Sequence, residues 1–256
     1  MIDLNPPLVI GASLSLVAVA IGISLYLKLG FERSILVASV RATVQLGAVG
    51  LLLALLIDSA WEQAIAVVWI LLMVAIAAFV TGRRAGTMAI VPAAATALGA
   101  ATALSLAVVF GFGVLPAEPI QFVVIAGITI GNALTATVVA ADQVKSQLTE
   151  HRLRVEGLLA LGFHAKQSAR FVVREATRVA LLPQIERTKV VGLVALPGAM
   201  VGLLIAGVDP LDAVVIQLIV MFLVLGTVAV SSTVVALATA HKSFTPDQRL
   251  QPTMYV

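Results

Sequence analysis

Residues 142–189 read DQVKSQLTEHRLRVEGLLALGFHAKQSARFVVREATRVALLPQIERTK, and this polar stretch decides how the rest of the 256-residue chain is interpreted. It carries nine of the sixteen Lys and Arg residues, whereas long apolar runs lie on either side of it. The chain is 61% hydrophobic and 11% charged, with a mean hydropathy of +1.10. Soluble domains carry about 25% charged residues. The apolar runs therefore indicate a membrane protein, and the polar stretch is predicted to lie outside the bilayer.

Seven apolar segments have the length of membrane spans. A run of about 20 apolar residues crosses a hydrocarbon core of about 30 Å, and a helix satisfies its own backbone groups in lipid. The predicted fold is therefore an all-α integral membrane protein with about seven transmembrane helices, and residues 1–256 form one transmembrane domain. The segments lie near residues 8–28, 35–57, 63–81, 88–112, 120–141, 190–208 and 212–240.

The distribution of basic residues predicts the orientation of the chain. Fifteen of the sixteen Lys and Arg residues fall in alternate connections and the C-terminal tail, and the opposite connections contain none. Cytoplasmic connections of membrane proteins are rich in Lys and Arg. We expect a multi-pass protein of the cell (inner) membrane with its N-terminus outside and its C-terminus in the cytoplasm. Residues 142–189 then form a long cytoplasmic helical loop between helices five and six. A nucleic-acid partner is not expected, because the basic residues follow the topology and no aromatic platform accompanies them.

Two polar residues interrupt the second apolar segment. Arg41 and Gln45 are four residues apart and share one helix face. Polar groups inside a membrane are costly and often mark a substrate path. Arg41 is close enough to the cytoplasmic end to extend into the headgroup region, so an interfacial structural role is the alternative. Gln45 lies deeper and either bonds another helix or faces the path.

Further candidates for a substrate path lie in the later segments. Asn132 and Thr135 place an amide and a hydroxyl near the middle of the fifth segment, where bonding between helices is the alternative role. Pro197 breaks the backbone ladder of the sixth segment, either to line a site or as a packing kink. Met200 follows it, and Gln217 lies in the seventh segment.

Catalytic and metal-binding patterns are missing from the sequence. There is no Cys, the three His residues are far apart, and neither an HExxH nor a GxSxG motif occurs. The phosphate loop of nucleotide-hydrolysing proteins is also missing. We therefore predict that the chain is not an enzyme, that it holds no cofactor, and that any metal ligands remain unknown.

The polar stretch itself has a helical pattern. Its first half, residues 150–163, is predicted to be a helix that docks on a partner, and residues 170–183 are predicted to lie as a helix on the membrane surface. The sequence EGLLALG at 156–162, followed by Leu182-Pro183, resembles the EAA loop of ABC importer permeases. That resemblance implies that Glu156, Leu159, Gly162, Phe163 and Pro183 couple the chain to an ATPase.

The whole chain resembles the FetB-type (UPF0014) permease family of ABC transporters, which is associated with iron export. The resemblance implies a homodimeric permease subunit that exports iron or another metal ion, with ATP and Mg bound by a separate ATPase. The matching stretches are RATVQL at 41–46, GNALTAT at 131–137, residues 156–162, ALLPQIERTKVVGLVALPGAMVG at 180–202 and AGVDPLDAVVIQ at 206–217.

Three alternatives remain open at the level of sequence. The cargo is a metal ion or a non-metal solute such as a sugar nucleotide. Instead of an ABC permease for either cargo, the chain is an ATP-independent carrier, in which the polar stretch regulates transport, or a membrane scaffold. Co-purification with an ATPase separates the ABC permease from the carrier and the scaffold.

Overall fold

The computed structural model describes residues 6–57 and 61–251. The chain divides into two compact units, one ending at Glu62 and the other beginning at Gln63, and each is described by itself. The predicted single transmembrane domain over residues 1–256 stays a prediction.

The first unit contains two helices that pack against each other. Helix α1 spans Pro6–Tyr26 and helix α2 spans Glu32–Ile57. The turn between them is held by the hydroxyl of Ser24, which donates to the Glu32 carboxylate at 2.8 Å and accepts from the backbone N–H of Phe31 at 3.2 Å. The turn therefore fixes how the two helices are joined.

The second unit is also built of helices. Apolar residues fill the long helices, and Gly or Pro marks most of the connections, because these residues leave the helical conformation or lack a backbone donor. The helices are α3 (Glu62–Arg84), a short 3-10 helix (Met88–Ile90), α4 (Val91–Gly111), α5 (Pro119–Glu150), α6 (Arg152–Ala160), α7 (Ala165–Ser168), α8 (Arg170–Val190), α9 (Gly198–Ile205) and α10 (Pro210–Lys242).

Five helices in the described part of the chain are long and apolar enough to cross a membrane. The prediction of an all-helical membrane protein is therefore confirmed, whereas the count of seven spans and the orientation stay predictions. The five are Glu32–Ala54, Glu62–Arg84, Met88–Gly111, Pro119–Glu150 and Pro210–Lys242.

Small side chains let the long helices of the second unit approach closely. Ala78, Ala94 and Ala126 are fully buried in one cluster that joins α3, α4 and α5, and Val235 of α10 completes it. Membrane helices gain stability from such close packing, because lipid offers no hydrophobic driving force between them. Two pairs of hydroxyls cross this interior, Thr81 with Thr137 at 3.1 Å and Ser105 with Thr227 at 2.8 Å. We call these four residues the hydroxyl seam.

The predicted sixth segment, residues 190–208, does not form one helix. Helix α8 ends at Val190, and the next helix, α9, has only eight residues. Gly192 adopts φ 84°, a conformation that side chains disfavour, and Pro197 has no backbone N–H to continue a helix. These two residues therefore break the segment into the end of α8, a connection at 191–197 and α9.

The polar stretch is also more helical than predicted. Helix α5 continues past residue 142 to Glu150, since no Gly or Pro interrupts it there. Helix α8 is not a lone surface helix, because it packs against α5 and α10 along the buried residues Val172, Ala176 and Ala180. Their spacing of four places three small or branched side chains on one face. The stretch therefore folds back along the helix bundle.

One end of the second unit is a folded body of three chain segments. Its core joins Leu148 of α5, Val155 of α6 and Val172 of α8 to Phe244 and Leu250 of the C-terminal tail, all of them buried. We call α6, α7 and residues 243–251, together with the helix ends on which they pack, the polar-end body.

Candidate functional site

A small groove lies between α5, α8 and α10. It measures about 110 Å³, which corresponds to three or four water molecules at about 30 Å³ each. Its polar lining comes from α5 and α8, and its apolar lining includes Val228 of α10. We call it the Arg187 groove. The residues that line it are Asn132, Thr135, Ala136, Val139, Ala180, Pro183, Gln184, Arg187 and Val228.

The course of α8 brings its polar end to the middle of α5. Residue 172, near the start of α8, packs in the same cluster as Leu148, whereas Arg187 contacts Asn132. The two helices are therefore antiparallel, and both run about 22–24 Å between these points at 1.5 Å per residue. Pro183 lies inside α8, so the helix also loses one backbone hydrogen bond beside the groove.

The groove lies deep in the apolar part of the chain. Asn132 is thirteen residues after Pro119, where α5 begins, and ten residues before Asp142, the first charged residue after the apolar run. At 1.5 Å per residue these separations are about 20 Å and about 15 Å. Ionisable residues at such a depth face the interior of a bundle or a water-filled cavity. Arg187 therefore lies beside the apolar part of α5, well away from the charged end of that helix.

Hydrogen bonds fix the amide of the groove. The Asn132 side chain donates from Nδ2 to the Ile128 carbonyl at 2.8 Å, and its Oδ1 accepts a long hydrogen bond of 3.5 Å from Arg187 Nη1. The neighbouring charges on α8 pair with each other, because Lys189 Nζ lies 2.8 Å from the Glu186 carboxylate. Arg187 therefore has no carboxylate partner among the described residues.

Two further polar side chains of the groove are open. Thr135 and Gln184 line it, and neither side chain has a hydrogen-bond partner among residues 6–57 and 61–251. The exposed Thr135 hydroxyl and the half-buried Gln184 amide next to a guanidinium form a small polar surface. The arrangement can hold a polar or charged ligand by several hydrogen bonds.

The predicted path residues of the second unit divide into two sets. Asn132 and Thr135 lie together in the groove. Pro197 caps the start of α9, Met200 lies within α9, and this helix packs against α10. Gln217 is 6% exposed within α10, and its Oε1 has no hydrogen-bond partner in the described part of the chain. The structure therefore brings the first two together and places the other three outside the groove lining.

The predicted path residues of the first unit lie together on α2. Arg41 and Gln45 line a shallow groove on one face of this helix, with only apolar neighbours. The spacing of four residues accounts for their common face, as the sequence predicted. The other lining residues are Leu36, Val37, Val40 and Val44.

Sequence reasoning missed the two groove residues that α8 supplies. Gln184 and Arg187 were counted within the cytoplasmic stretch, because a Lys- and Arg-rich segment usually marks topology. A signal was present, since PQIERTK runs directly into an apolar segment without a turn residue until Gly192. Pro183, predicted to couple to an ATPase, lines the same groove.

The other predicted coupling residues surround the turn after α6. Gly162 adopts φ 89°, and the N–H groups of Gly162 and Phe163 bond the carbonyls of Leu159 and Leu158 at 3.0 and 3.1 Å. These two bonds are the Schellman arrangement that ends a helix at a glycine. Glu156 pairs with Arg152 at 2.9 Å on the same helix. The glycine therefore shapes the turn.

Exposed apolar side chains lie on α6 and on the turn that follows it. Leu161 is 77% exposed and Phe163 is 47% exposed, while Leu153 on the same helix is 83% exposed. We call these three residues the apolar knob. Exposed apolar side chains at the end of a folded body are typical of a surface that binds another protein.

The C-terminal tail contacts the residues that directly follow the knob. The side chain of Gln248 accepts from the backbone N–H of Ala165 at 2.9 Å, and its Nε2 lies 3.2 Å from His164 Nδ1. On the other side, the Arg154 guanidinium lies 4.3 Å from the ring centre of Phe171, a cation–π distance. These contacts join α6, α7, α8 and the tail.

The described residues offer no ready-made cation site. Among residues 6–57 and 61–251, no three His, Cys, Asp or Glu side chains come together in a way that could hold a metal ion. The groove instead presents amide and hydroxyl groups beside a guanidinium. The groove therefore offers hydrogen-bonding groups and one positive charge.

Comparison with known proteins gives a family match over almost the whole chain. Residues 7–244 match the model of the Uncharacterised protein family (UPF0014). UPF0014 membrane protein STAR2 of Oryza sativa subsp. japonica is 35% identical over 229 residues, which cover 86% of this chain and 78% of the relative. UPF0014 membrane protein YjkA of Bacillus subtilis (strain 168) is 29% identical over 244 residues, 93% of this chain and 97% of the relative.

A third relative bears a functional name. "Probable iron export permease protein FetB" of Escherichia coli (strain K12) is 33% identical over 241 residues, which cover 93% of this chain and 92% of the relative. No solved structure gives a significant match. The predicted multi-pass membrane localisation is confirmed by these membrane relatives together with the long apolar helices.

Proposed function

Because this chain belongs to the UPF0014 family of membrane proteins, we propose that it is the membrane-spanning permease subunit of an ABC transporter. The subunit is not itself an enzyme. A separate ATPase binds ATP and Mg, and two copies of this chain form the membrane channel. The cargo is iron or another metal ion, in keeping with the name of the Escherichia coli relative.

The Arg187 groove is the observation that carries this proposal. It places a guanidinium, an amide and a hydroxyl beside the middle of a helix that is long enough to span the membrane. Such groups at this depth are costly unless they line a path for a polar solute. Transporters commonly place these sites next to interrupted helices. The break at 191–197 follows directly after the groove.

The proposed topology follows from the same break. The end of α8 and the short helix α9 together make the sixth of seven crossings, which puts the N-terminus outside and the polar-end body in the cytoplasm. Arg187 and Lys189 then lie within the membrane, and the other basic residues of the polar stretch remain on the cytoplasmic side. The charge asymmetry supports the same orientation.

The apolar knob is the proposed docking site of the ATPase. A groove on an ATPase would enclose Leu161 and Phe163, and the Gly162 turn sets their direction. ATP-driven closure of two ATPases would move the polar-end bodies and, through α5, α8 and α10, the walls of the groove. Glu156 and Leu159 support the knob from the same helix.

Three other functions are the competing candidates. They are a permease for a non-metal solute, an ATP-independent carrier and a membrane scaffold. The exposed apolar knob favours a function with a protein partner over a carrier that acts alone, because exposed apolar side chains of this kind are typical of protein-binding surfaces.

The test is purification of the full-length chain with its proposed ATPase, followed by measurement of ATP hydrolysis in lipid nanodiscs. We expect the ATPase to co-purify and its rate to rise when iron is added, either as Fe²⁺ or as an anionic iron complex. A chain that purifies without an ATPase would contradict the proposal, and a co-purifying ATPase that ignores iron would contradict the metal cargo.

Gly157 of α6 and Gly162 of the turn after it supply the matched variants for docking. Gly162→Ala puts a side chain at φ 89°, which costs about 1–2 kcal/mol and changes the turn. Gly157→Ala adds the same atom at an exposed helical position with open space around it. We expect Gly162→Ala to weaken ATPase co-purification several-fold, whereas Gly157→Ala retains it. Equal retention by both would count against the knob.

A further inference from the structure

The hydrogen-bonding groups of the Arg187 groove are mainly donors. A guanidinium carries five N–H donors and no acceptor. Arg187 uses one of them, in the long bond to Asn132, and no other hydrogen bond of its side chain is made to the described residues. Its remaining donors are therefore available at the groove.

Few of the acceptor groups that a metal ion would need are free near the groove. Asn132 Oδ1 accepts from Arg187, and the carboxylate of Glu186 is paired with Lys189 at 2.8 Å. No Asp or Glu lines the groove. The amide and hydroxyl oxygens of Gln184 and Thr135 are the free acceptors, and two neutral oxygens make a poor cage for a cation that takes six or more oxygen ligands.

The charge of Arg187 acts in the same direction. The Coulomb interaction between two charges is stronger beside protein than in bulk water, because the effective dielectric constant is lower there. This interaction opposes a bare cation in the groove and favours an anion. Arginine also presents a planar fork of donors that matches carboxylate and phosphate oxygens.

From these observations we propose that the Arg187 groove binds an anion, either a small oxyanion or carboxylate or a metal ion enclosed in an anionic complex, and not a bare metal cation. This inference rests on the proposed function, because it names the chemical class of cargo that the permease recognises. The ligand's oxygens accept hydrogen bonds from the side chains of Arg187 and Gln184, and the Thr135 hydroxyl donates a further one.

The test is equilibrium binding to the full-length chain in lipid nanodiscs. The four radiolabelled probes are inorganic phosphate, citrate, ferric citrate and Fe²⁺ without a chelator. The variants are Arg187→Gln, which removes the charge, and Arg187→Lys, which keeps it. The control is Arg178→Gln, an equal change of charge on an exposed side chain of the same helix, outside the groove. Size-exclusion profiles confirm that each variant is folded.

We expect at least one anionic probe to bind more tightly than Fe²⁺. Arg187→Gln should weaken that binding by about 10-fold to 100-fold, as loss of a hydrogen bond to a charged group does. Arg187→Lys should lose less, and Arg178→Gln should change it less than about 2-fold. Binding of phosphate or citrate indicates a free anion, and binding of ferric citrate without the other two indicates a metal complex.

Three results would overturn the inference. The first is that none of the anionic probes binds, the second is that Fe²⁺ binds most tightly, and the third is that Arg187→Gln and Arg178→Gln have equal effects. The ATPase measurement separates this failure from failure of the proposed function. Iron-stimulated hydrolysis by a co-purified ATPase would leave the permease assignment in place while the anionic cargo is rejected.

Discussion

Thr135 and Thr137 are two residues apart on the same helix and have opposite surroundings. Thr137 is fully buried, and its hydroxyl lies 3.1 Å from the hydroxyl of Thr81 in the hydroxyl seam. Thr135 is exposed, lines the Arg187 groove and has no partner among the described residues. The two threonines of one helix therefore differ in both burial and hydrogen bonding: Thr137 contacts another helix, whereas the Thr135 hydroxyl is open at the groove.

The same contrast holds across the second unit. In the seam, each hydroxyl meets another hydroxyl or a carbonyl of its own helix, so the helices are joined without a cavity. In the groove, Gln184 and Arg187 face an open space. Satisfied polar groups stabilise packing, whereas open ones cost free energy and persist where function needs them.

Two glycines give the largest expected difference between the seam and the groove. Gly82 adjoins Thr81, and a Cβ added there would clash with Val91 and lie 3.3 Å from the Thr87 carbonyl oxygen. Gly131 adjoins Asn132 and has open space around it. We expect Gly82→Ala to lower the free energy of unfolding by about 1–3 kcal/mol, the cost of overpacking.

Gly131→Ala should leave the free energy of unfolding unchanged or raise it by about 0.5–1 kcal/mol, because Ala favours helix. Unfolding in mixed micelles by SDS titration measures both variants. A large loss at Gly131 would instead show that this face packs closely against another surface in the membrane.

The two threonines give the next largest effect and the sharpest test. Thr137→Val keeps the shape but removes the bond to Thr81, so we expect a loss of about 0.5–1.5 kcal/mol in the free energy of unfolding with anion binding unchanged. Thr135→Val should weaken anion binding by about 3-fold to 10-fold with stability unchanged. The reverse pattern would mean that the groove and the seam have been assigned the wrong roles.

The smallest expected effect concerns the second pair of the seam. Ser105→Ala and Thr227→Val, made singly and together, form a double-mutant cycle for the 2.8 Å contact. Hydrogen bonds between membrane helices contribute about 0.6 kcal/mol on average, and we expect a coupling energy near that value in SDS unfolding. A coupling energy of zero would show that the hydrogen bond between Ser105 and Thr227 does not contribute to the packing of α4 against α10.

Much of the fold follows from hydropathy. Five of the predicted segments correspond to helices long and apolar enough to cross a membrane, because a run of about 20 apolar residues has few other stable conformations. The sixth segment departed from this pattern. Gly192 and Pro197 act on the backbone, and hydropathy measures only side chains.

The site was predicted less completely. Asn132 and Thr135 could be identified because a polar residue stands out in an apolar helix. Arg187 could not, because its neighbours in the sequence are polar and its depth depends on how α8 packs against α5. Tertiary packing determined its position, and one sequence does not encode that packing in any local pattern.

The C-terminal tail has a mechanical consequence. Residues 243–251 continue directly from α10, and Gln248 binds the start of α7, next to the apolar knob. Helices α5 and α8 enter the same body through Leu148 and Val172. The three helices that line the groove, α5, α8 and α10, are thus all packed into the polar-end body at one end. If an ATPase docks at the knob as proposed, displacement of the polar-end body would be passed to all three helices together, because the tail joins α10 to the same core as α5 and α8.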